Sequence, residues 1–350
     1  MTFAHRHFNE GGLQRRPPCQ SQTGAALNRR RAIRNPGPSW GYWFLQMCDR
    51  VLPEAVFRLL RAIGTAVAMS AMPAQRRNSR AYLAIVMGRR PTWNDVWRHF
   101  FAFEEALMIK LRVANGRPHR TVYAPGAGDF QAWLETGGPA LLGTFHVGLS
   151  DLLGCEIGGY GHREVYVVRQ RVGNSYDTEK LAERYAGRLH FVWVNEPDEM
   201  IFALKEAAAT SAAIAMQCDR AEFAARTESF EFLGARRPFA FGIYHLAVIF
   251  GRPVLLAVGL PDGPARAVLH ASPRFDPRPG ETRVETLARA REHFQAFLRR
   301  LEALLREHPY LWFNFTPLHT PAGATTDSGN DSTRRRHGAS PPGDAPVHAE

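Results

Sequence analysis

Lysine is nearly absent from this sequence: of 44 basic residues only Lys110, Lys180 and Lys205 are not arginine. The net charge of +11 over 350 residues is therefore a field of guanidinium groups, which suit bidentate contacts to phosphate or carboxylate. Cysteine is scarce as well. Cys19, Cys48, Cys155 and Cys218 stand far apart with no Cys-x-x-Cys pair. That excludes a zinc site or redox dithiol built on paired cysteines and points to a reducing compartment. No run of 18 uncharged apolar residues occurs, which excludes a polytopic membrane protein. The first 20 residues hold Arg6, Glu10, Arg15, Arg16, Pro17 and Pro18 where a secretory signal needs an apolar core, so the body is expected to face the cytoplasm.

Several chemical signatures are missing too. The nearest approach to a nucleophile elbow, Gly148-Leu149-Ser150-Asp151-Leu152, lacks the Gly-x-Ser-x-Gly spacing of a serine hydrolase. The glycines from Gly154 to Gly161 do not give G-x-G-x-x-G, and no Gly-Lys-Ser/Thr phosphate loop is present. No His-x-x-x-His pair falls on an expected helix, so no metal site is expected. The basic charge is spread along the chain without a helix-turn-helix, finger or RNA-recognition signature, so no specific nucleic-acid partner is expected.

What is present is a core-forming body between two polar ends. Hydrophobic residues make up 45% of the chain and charged ones 22%, enough to bury a sizeable core. Residues 1–39, with seven arginines and one acid, have the composition of a disordered basic arm, and residues 319–350, rich in Thr, Ser, Gly, Pro and Asp, that of a disordered tail. The body, residues 40–318, keeps a charge of +6. It opens with Trp40, Tyr42, Trp43 and Phe44, then a largely apolar run from Ala62 to Met72 stopped by Pro73. Eleven uncharged residues are too few to span a bilayer. An amphipathic or re-entrant segment over 40–75, rimmed by aromatics and arginines, suits a membrane interface, and a helix packed on the domain fits the same pattern. Residues 93–112 read as a helix, with an apolar stripe behind a capping signal from Thr92 to Asp95.

From residue 140 to 318 the pattern changes to short apolar runs alternating with helical stretches. Ala140–Phe145, Glu164–Val168, His190–Val194, Ala212–Met216 and Pro253–Val258 fit buried strands, with helices between them and a closing helix over Glu285–His308. The expected fold is α/β: a mixed, mainly parallel central sheet flanked by helices, with an N-terminal helical membrane-associating segment and disordered tails.

Ligand sites of open α/β sheets gather at the carboxyl ends of the strands, so polar residues just after apolar runs are the candidates. His146 follows the run from Ala140, with Gly148 in a turn and Asp151 at a helix start. A histidine with an acid five positions on also occurs at His5 with Glu10 and His99 with Glu104, but only His146 lies at a strand end. Arg169 and Arg171 follow the second run, with Asn174 beyond them; Asp219 and Arg220 close a later one. Charges in a cleft need partners, so Arg169, Arg171, Asp219 and Arg220 are expected to form one network.

These blocks, in this order, resemble the bacterial lipid A late acyltransferases of the lauroyl/myristoyl type, in the lysophospholipid acyltransferase superfamily. The resemblance covers about residues 55–317. It rests on His-x4-Asp at His146 and Asp151, Tyr166 to Asn174, Asp219, Phe230-Glu-Phe232-Leu-Gly234 and Pro309-Tyr310-Leu311-Trp312-Phe313. It departs from the family at Arg220, where Gln or His is usual, and at Asn314, Phe315 and Thr316, where basic residues are usual. The resemblance implies an acyltransferase that moves a fatty acyl group from a thioester of acyl carrier protein or coenzyme A to a hydroxyl or amine of a lipid acceptor, with no bound cofactor. The missing cations suggest an acceptor less anionic than the family's. A non-lipid acceptor, or a silent membrane lipid-binding protein, is the alternative. It also implies a place at an anionic membrane surface, on the cytoplasmic face of a bacterial inner membrane. His146 would be the general base, Asp151 would bond its other ring nitrogen, and backbone N–H groups after His146, together with Arg169 or Arg171 from the next strand end, would receive the oxyanion. Arg169, Arg171, Asn174, Asp219, Arg220 and Gly148 would contact substrate.

Overall fold

The computed structural model describes residues 39–318 except 154–156, 158–162, 170–179, 182, 186, 195–196, 222–223 and 225. Arg171 and Asn174, like the two terminal tails, lie outside the described residues.

Four helices come first: α1 (Ser39–Val51), α2 (Glu54–Ala71), α3 (Pro73–Met87) and α4 (Trp93–Ala114). Thr92 and Asp95 start α4 with a reciprocal capping box, each side chain taking the other's backbone N–H. The sheet domain follows as β1 (Arg120–Tyr123), α5 (Gly128–Thr136), β2 (Ala140–Thr144), β3 (Val165–Arg169), β4 (Leu189–Trp193), α6 (Pro197–Ala209) and β5 (Ala213–Gln217). A hairpin, β6 (Thr227–Phe232) and β7 (Ala235–Ala240), leads to α7 (Gly242–Phe250), β8 (Val254–Pro261), β9 (Arg266–Ala271) and α8 (Arg283–Glu307).

The fold is α/β with a mostly parallel, mixed central sheet flanked by helices. Strand order is β1-β9-β8-β2-β5-β3-β4, and β8–β9 is the one antiparallel pair in this seven-stranded sheet. Side chains of a strand alternate between faces, and β2 divides accordingly: Leu141 enters one core, Ala140 and Leu142 the other. The first core lies under α7, α8 and the hairpin; the second lies under α4 and α5. The Phe230 to Gly234 block is that hairpin. Its turn is Leu233-Gly234, both at positive φ, and Phe230 and Phe232 pack toward α8. Helix α7 begins only at Gly242, because Phe239 and Ala240 still pair with β6.

Helix α2 is built inside out. Its inward stripe is Phe57, Arg61, Thr65 and Met69, while Val56, Leu59, Leu60, Ile63 and Val67 face outward. Arg61 is buried and bridges Glu104 (3.0 Å) on α4 and Glu54 (2.9 Å). No single helix among the described residues is long and apolar enough to cross a membrane; α2 and α3 pass together only as a pair bent by 100°.

Candidate functional site

β2 and β5 run parallel side by side, so the residues beyond their carboxyl ends meet. His146 lies two residues past β2 and Asp219 two past β5. Asp219 is 2% exposed and takes three hydrogen bonds. The backbone N–H of His146 donates to Oδ2 (2.9 Å), His146 Nδ1 lies 2.7 Å from Oδ1, and the Trp312 indole N–H donates to Oδ2 (2.9 Å). Burial alone would raise the Asp219 carboxyl. The charge of His146 and these donors outweigh it and hold the group below the usual carboxylate range. An ionised acceptor fixes the tautomer: Nδ1 carries the proton, and Nε2 keeps the lone pair of a base.

Asp151 does not perform the orienting role that the spacing of five suggests. Its Oδ2 instead pairs with Lys110 Nζ of α4 at 2.8 Å. The reason is local geometry: the chain turns after His146 into a short 3-10 helix, Ser150–Leu152, which places Asp151 against Lys110 of α4. Lys110 first, and Arg169 and His146 after it, depress the Asp151 carboxyl against the opposing effect of burial. Asp151, Lys110, Arg169, Thr144 and Gln217 line one cleft at the carboxyl edge of β2, β3 and β5. Lys110, only 8% exposed, is a site residue that no motif pointed to. Its one signal in the sequence was being one of three lysines.

Two other expectations are corrected. Gly148 gives its close backbone approach to Gly259 rather than to a ligand: a Cβ there would lie 2.4 Å from the Gly259 carbonyl oxygen, at φ +53°. The amides after His146 are not open to an oxyanion. Val147 N–H donates to Phe145 O (2.7 Å), Gly148 to Leu311 O (2.8 Å), Leu149 to Gly259 O (2.7 Å) and Ser150 to Val147 O (3.1 Å).

Of the expected arginine network only Arg169 and Arg220 are described, and neither makes an ion pair with Asp219 among the described residues. Arg169 lies with its guanidinium carbon 5.8 Å from the centre of the Phe191 ring, and its charge acts on Asp151. The buried Nε of Arg220 has no hydrogen-bond partner among the described residues. The closing block does join the site. Trp312 bridges to Val147, Phe313 N–H donates to His146 O (2.7 Å), and Asn314 Nδ2 donates to Asp219 O (3.3 Å). Asn314 thus braces the loop that carries Asp219.

Among the described residues no group of three or more His, Cys, Asp or Glu side chains could hold a metal ion. The chain matches no family model and no curated protein sequence.

Proposed function

We propose that the protein is an acyltransferase that moves a fatty acyl group from a thioester, of acyl carrier protein or coenzyme A, to a hydroxyl or amine of a lipid at an anionic membrane surface. One observation carries the reading: a histidine at the carboxyl edge of a parallel sheet whose Nδ1 is held by a buried carboxylate, with a cleft lined by Lys110, Arg169 and Asp151 at the carboxyl edge of the same sheet. A base so oriented can take the acceptor's proton as its oxygen or nitrogen attacks the thioester carbonyl, and return that proton to the departing thiolate. No covalent enzyme intermediate is needed, and among the described residues no serine or cysteine side chain bonds the His146 ring; Cys218 is buried and its thiol is pushed up well above its usual range by burial.

The membrane part of the reading rests on α1 to α3. A helix with arginine inward and leucine, isoleucine and valine outward reverses the pattern of a water-facing surface helix. Trp40, Trp43 and Phe44 are also exposed on α1. Between Glu54 and Asp95 the chain has Arg58, Arg61, Arg76, Arg77, Arg80, Arg89 and Arg90 and no acidic residue. Apolar outward surface with basic flanks is the composition of an interfacial segment attracted to anionic lipid. This is the membrane-associating role proposed for the N-terminal helices; the cytoplasmic face of a bacterial inner membrane is proposed from the family resemblance.

The test is the lipid mass profile of cells expressing wild type or His146→Ala. A species heavier by one acyl chain that depends on His146 supports the reading and identifies acceptor and chain. Absence of any shift in extractable lipid, with both proteins folded at membranes, refutes lipid acylation and leaves a non-lipid acceptor or a silent lipid binder. Vesicle flotation tests the surface: Leu59→Glu with Ile63→Glu should abolish binding to vesicles containing anionic lipid.

A further inference from the structure

The four backbone amides that follow His146 are all occupied by carbonyl oxygens of the protein. A negative charge formed beside His146 is then not met by these four amides. Among the described residues the cleft at the same sheet edge offers two cations, Lys110 and Arg169, against one carboxylate, Asp151. That described lining carries a net positive charge before any substrate enters.

We propose that Lys110 receives the oxyanion of acyl transfer and that Asp151 acts as its positioning residue. The inference rests on the acyl-transfer reading above and assigns the second half of its site. Lys110 comes from α4, outside the sheet, and its ammonium is buried between that helix and the turn after His146. Asp151 Oδ2 at 2.8 Å fixes where the ammonium sits. Asp151 feels Lys110, Arg169 and His146 together, so the three groups share one electrostatic neighbourhood. A lysine there is also chemically apt. Its ammonium is a compact point charge that can meet an oxygen approaching from several directions, whereas the planar guanidinium, used at 41 of 44 basic positions of this chain, demands a fixed fork geometry.

In the step, the acceptor's O–H or N–H loses its proton to His146 Nε2 as its lone pair forms the bond to the thioester carbon. The carbonyl π electrons move onto oxygen, where Lys110 meets them. Collapse restores the carbonyl, breaks the C–S bond, and the thiolate takes the proton from His146 Nε2. Because the charge on oxygen exists only in the transition state and intermediate, Lys110 should act on turnover more than on substrate binding.

The experiment uses the full chain on vesicles made from total bacterial lipid, with acyl-coenzyme A and acyl-carrier-protein thioesters as donors, and reads thiol release and acylated lipid. Wild type is compared with His146→Ala, Lys110→Met, Lys110→Arg and the double variant Lys110→Met with Asp151→Asn. Expected is a kcat lower by about 10²-fold in Lys110→Met with donor KM changed only a few-fold, partial recovery in Lys110→Arg, and no recovery in the double variant. The double variant also leaves no unpaired carboxylate in the cleft, so it guards against simple misfolding. Recovery of the double variant to within a few-fold of wild type would mean that Lys110 only neutralises Asp151, and the proposal would be overturned. So would an effect of Lys110→Met confined to KM. Thiol release by wild type no greater than by His146→Ala with both donors would instead bring down the acyl-transfer reading, and this inference with it.

Discussion

His146 gives Asp219 two hydrogen bonds, one from its backbone N–H to Oδ2 and one from its ring Nδ1 to Oδ1. The carboxylate thus sets both the path of the chain and the rotation of the ring. Loss of that carboxylate has a directional consequence. In Asp219→Asn the amide can offer N–H to Nδ1, which favours the tautomer with the proton on Nε2 and removes the base. Thiol release should fall by about 10³–10⁴-fold, comparable to His146→Ala, with the fold retained by circular dichroism. Asp151→Asn should be milder.

Trp312→Phe keeps the ring but deletes the third donor to Asp219. A buried charge short of one partner is destabilising by about 1–3 kcal/mol, so denaturant titration should show that loss together with a modest fall in turnover. An unchanged midpoint would mean that water takes the place of the indole N–H.

Two glycines should respond in opposite senses. At Gly148 a methyl group meets the Gly259 carbonyl and sits at φ +53°, so Gly148→Ala should lower the melting temperature and displace the His146 loop. At Gly64, within α2, a methyl group meets nothing within 4 Å, so Gly64→Ala should stabilise by up to about 1 kcal/mol.

Arg252 is buried and donates to four carbonyl oxygens around the end of α6: Ala207 (3.0 Å), Ala208 (2.8 Å), Thr210 (2.6 Å) and Ala212 (2.9 Å). Arg252→Met should cost about 2–4 kcal/mol by removing the guanidinium donors from these carbonyls, of which Ala207 keeps other donors, from Thr210. Thermal melting is the measurement, and turnover at a temperature where the variant is folded should be nearly unaffected.

His99 and Glu104, on one helix, should oppose each other as pH falls. Burial pushes His99 down from 6.5 to about 4, so the unfolded chain binds its proton first, and this stability is lost between pH 6.5 and 4. Burial, opposed by Arg61, pushes Glu104 up from 4.5 to about 7, so the folded chain binds that proton first, and stability is gained between pH 7 and 4.5. Each effect is worth about 2 kcal/mol by pH 5. Glu104→Gln should therefore weaken on going from pH 7 to 5, and His99→Gln should strengthen, both read by denaturant titration.

The central strands were legible because a buried parallel strand is a short unbroken apolar run. Ala140–Thr144, Val165–Arg169, Leu189–Trp193 and Ala213–Gln217 each fall within a residue of the run that announces them. β1 and β9 were not legible: Arg120–Tyr123 is half exposed and Arg266–Ala271 alternates, so neither makes a continuous run. His146 was legible from its place after a strand. Its true partner was not, since Asp219 lies 73 residues away and a spacing rule sees only neighbours along the chain, such as Asp151. The outward apolar face of α2 was ambiguous in sequence, because the periodicity is the same whichever face turns inward; the placing of Arg61 decides it.

The stretch from Leu311 to Asn314 accepts from Gly148, bridges Val147, and donates to His146 and Asp219. It also binds His99, 213 residues earlier. During synthesis these are among the last residues of the body to leave the ribosome, after every strand and helix before them has been made. The order of translation therefore adds these braces last, and a ribosome stalled before residue 311 would carry His146 and Asp219 without the indole donor and the loop contacts that this stretch supplies.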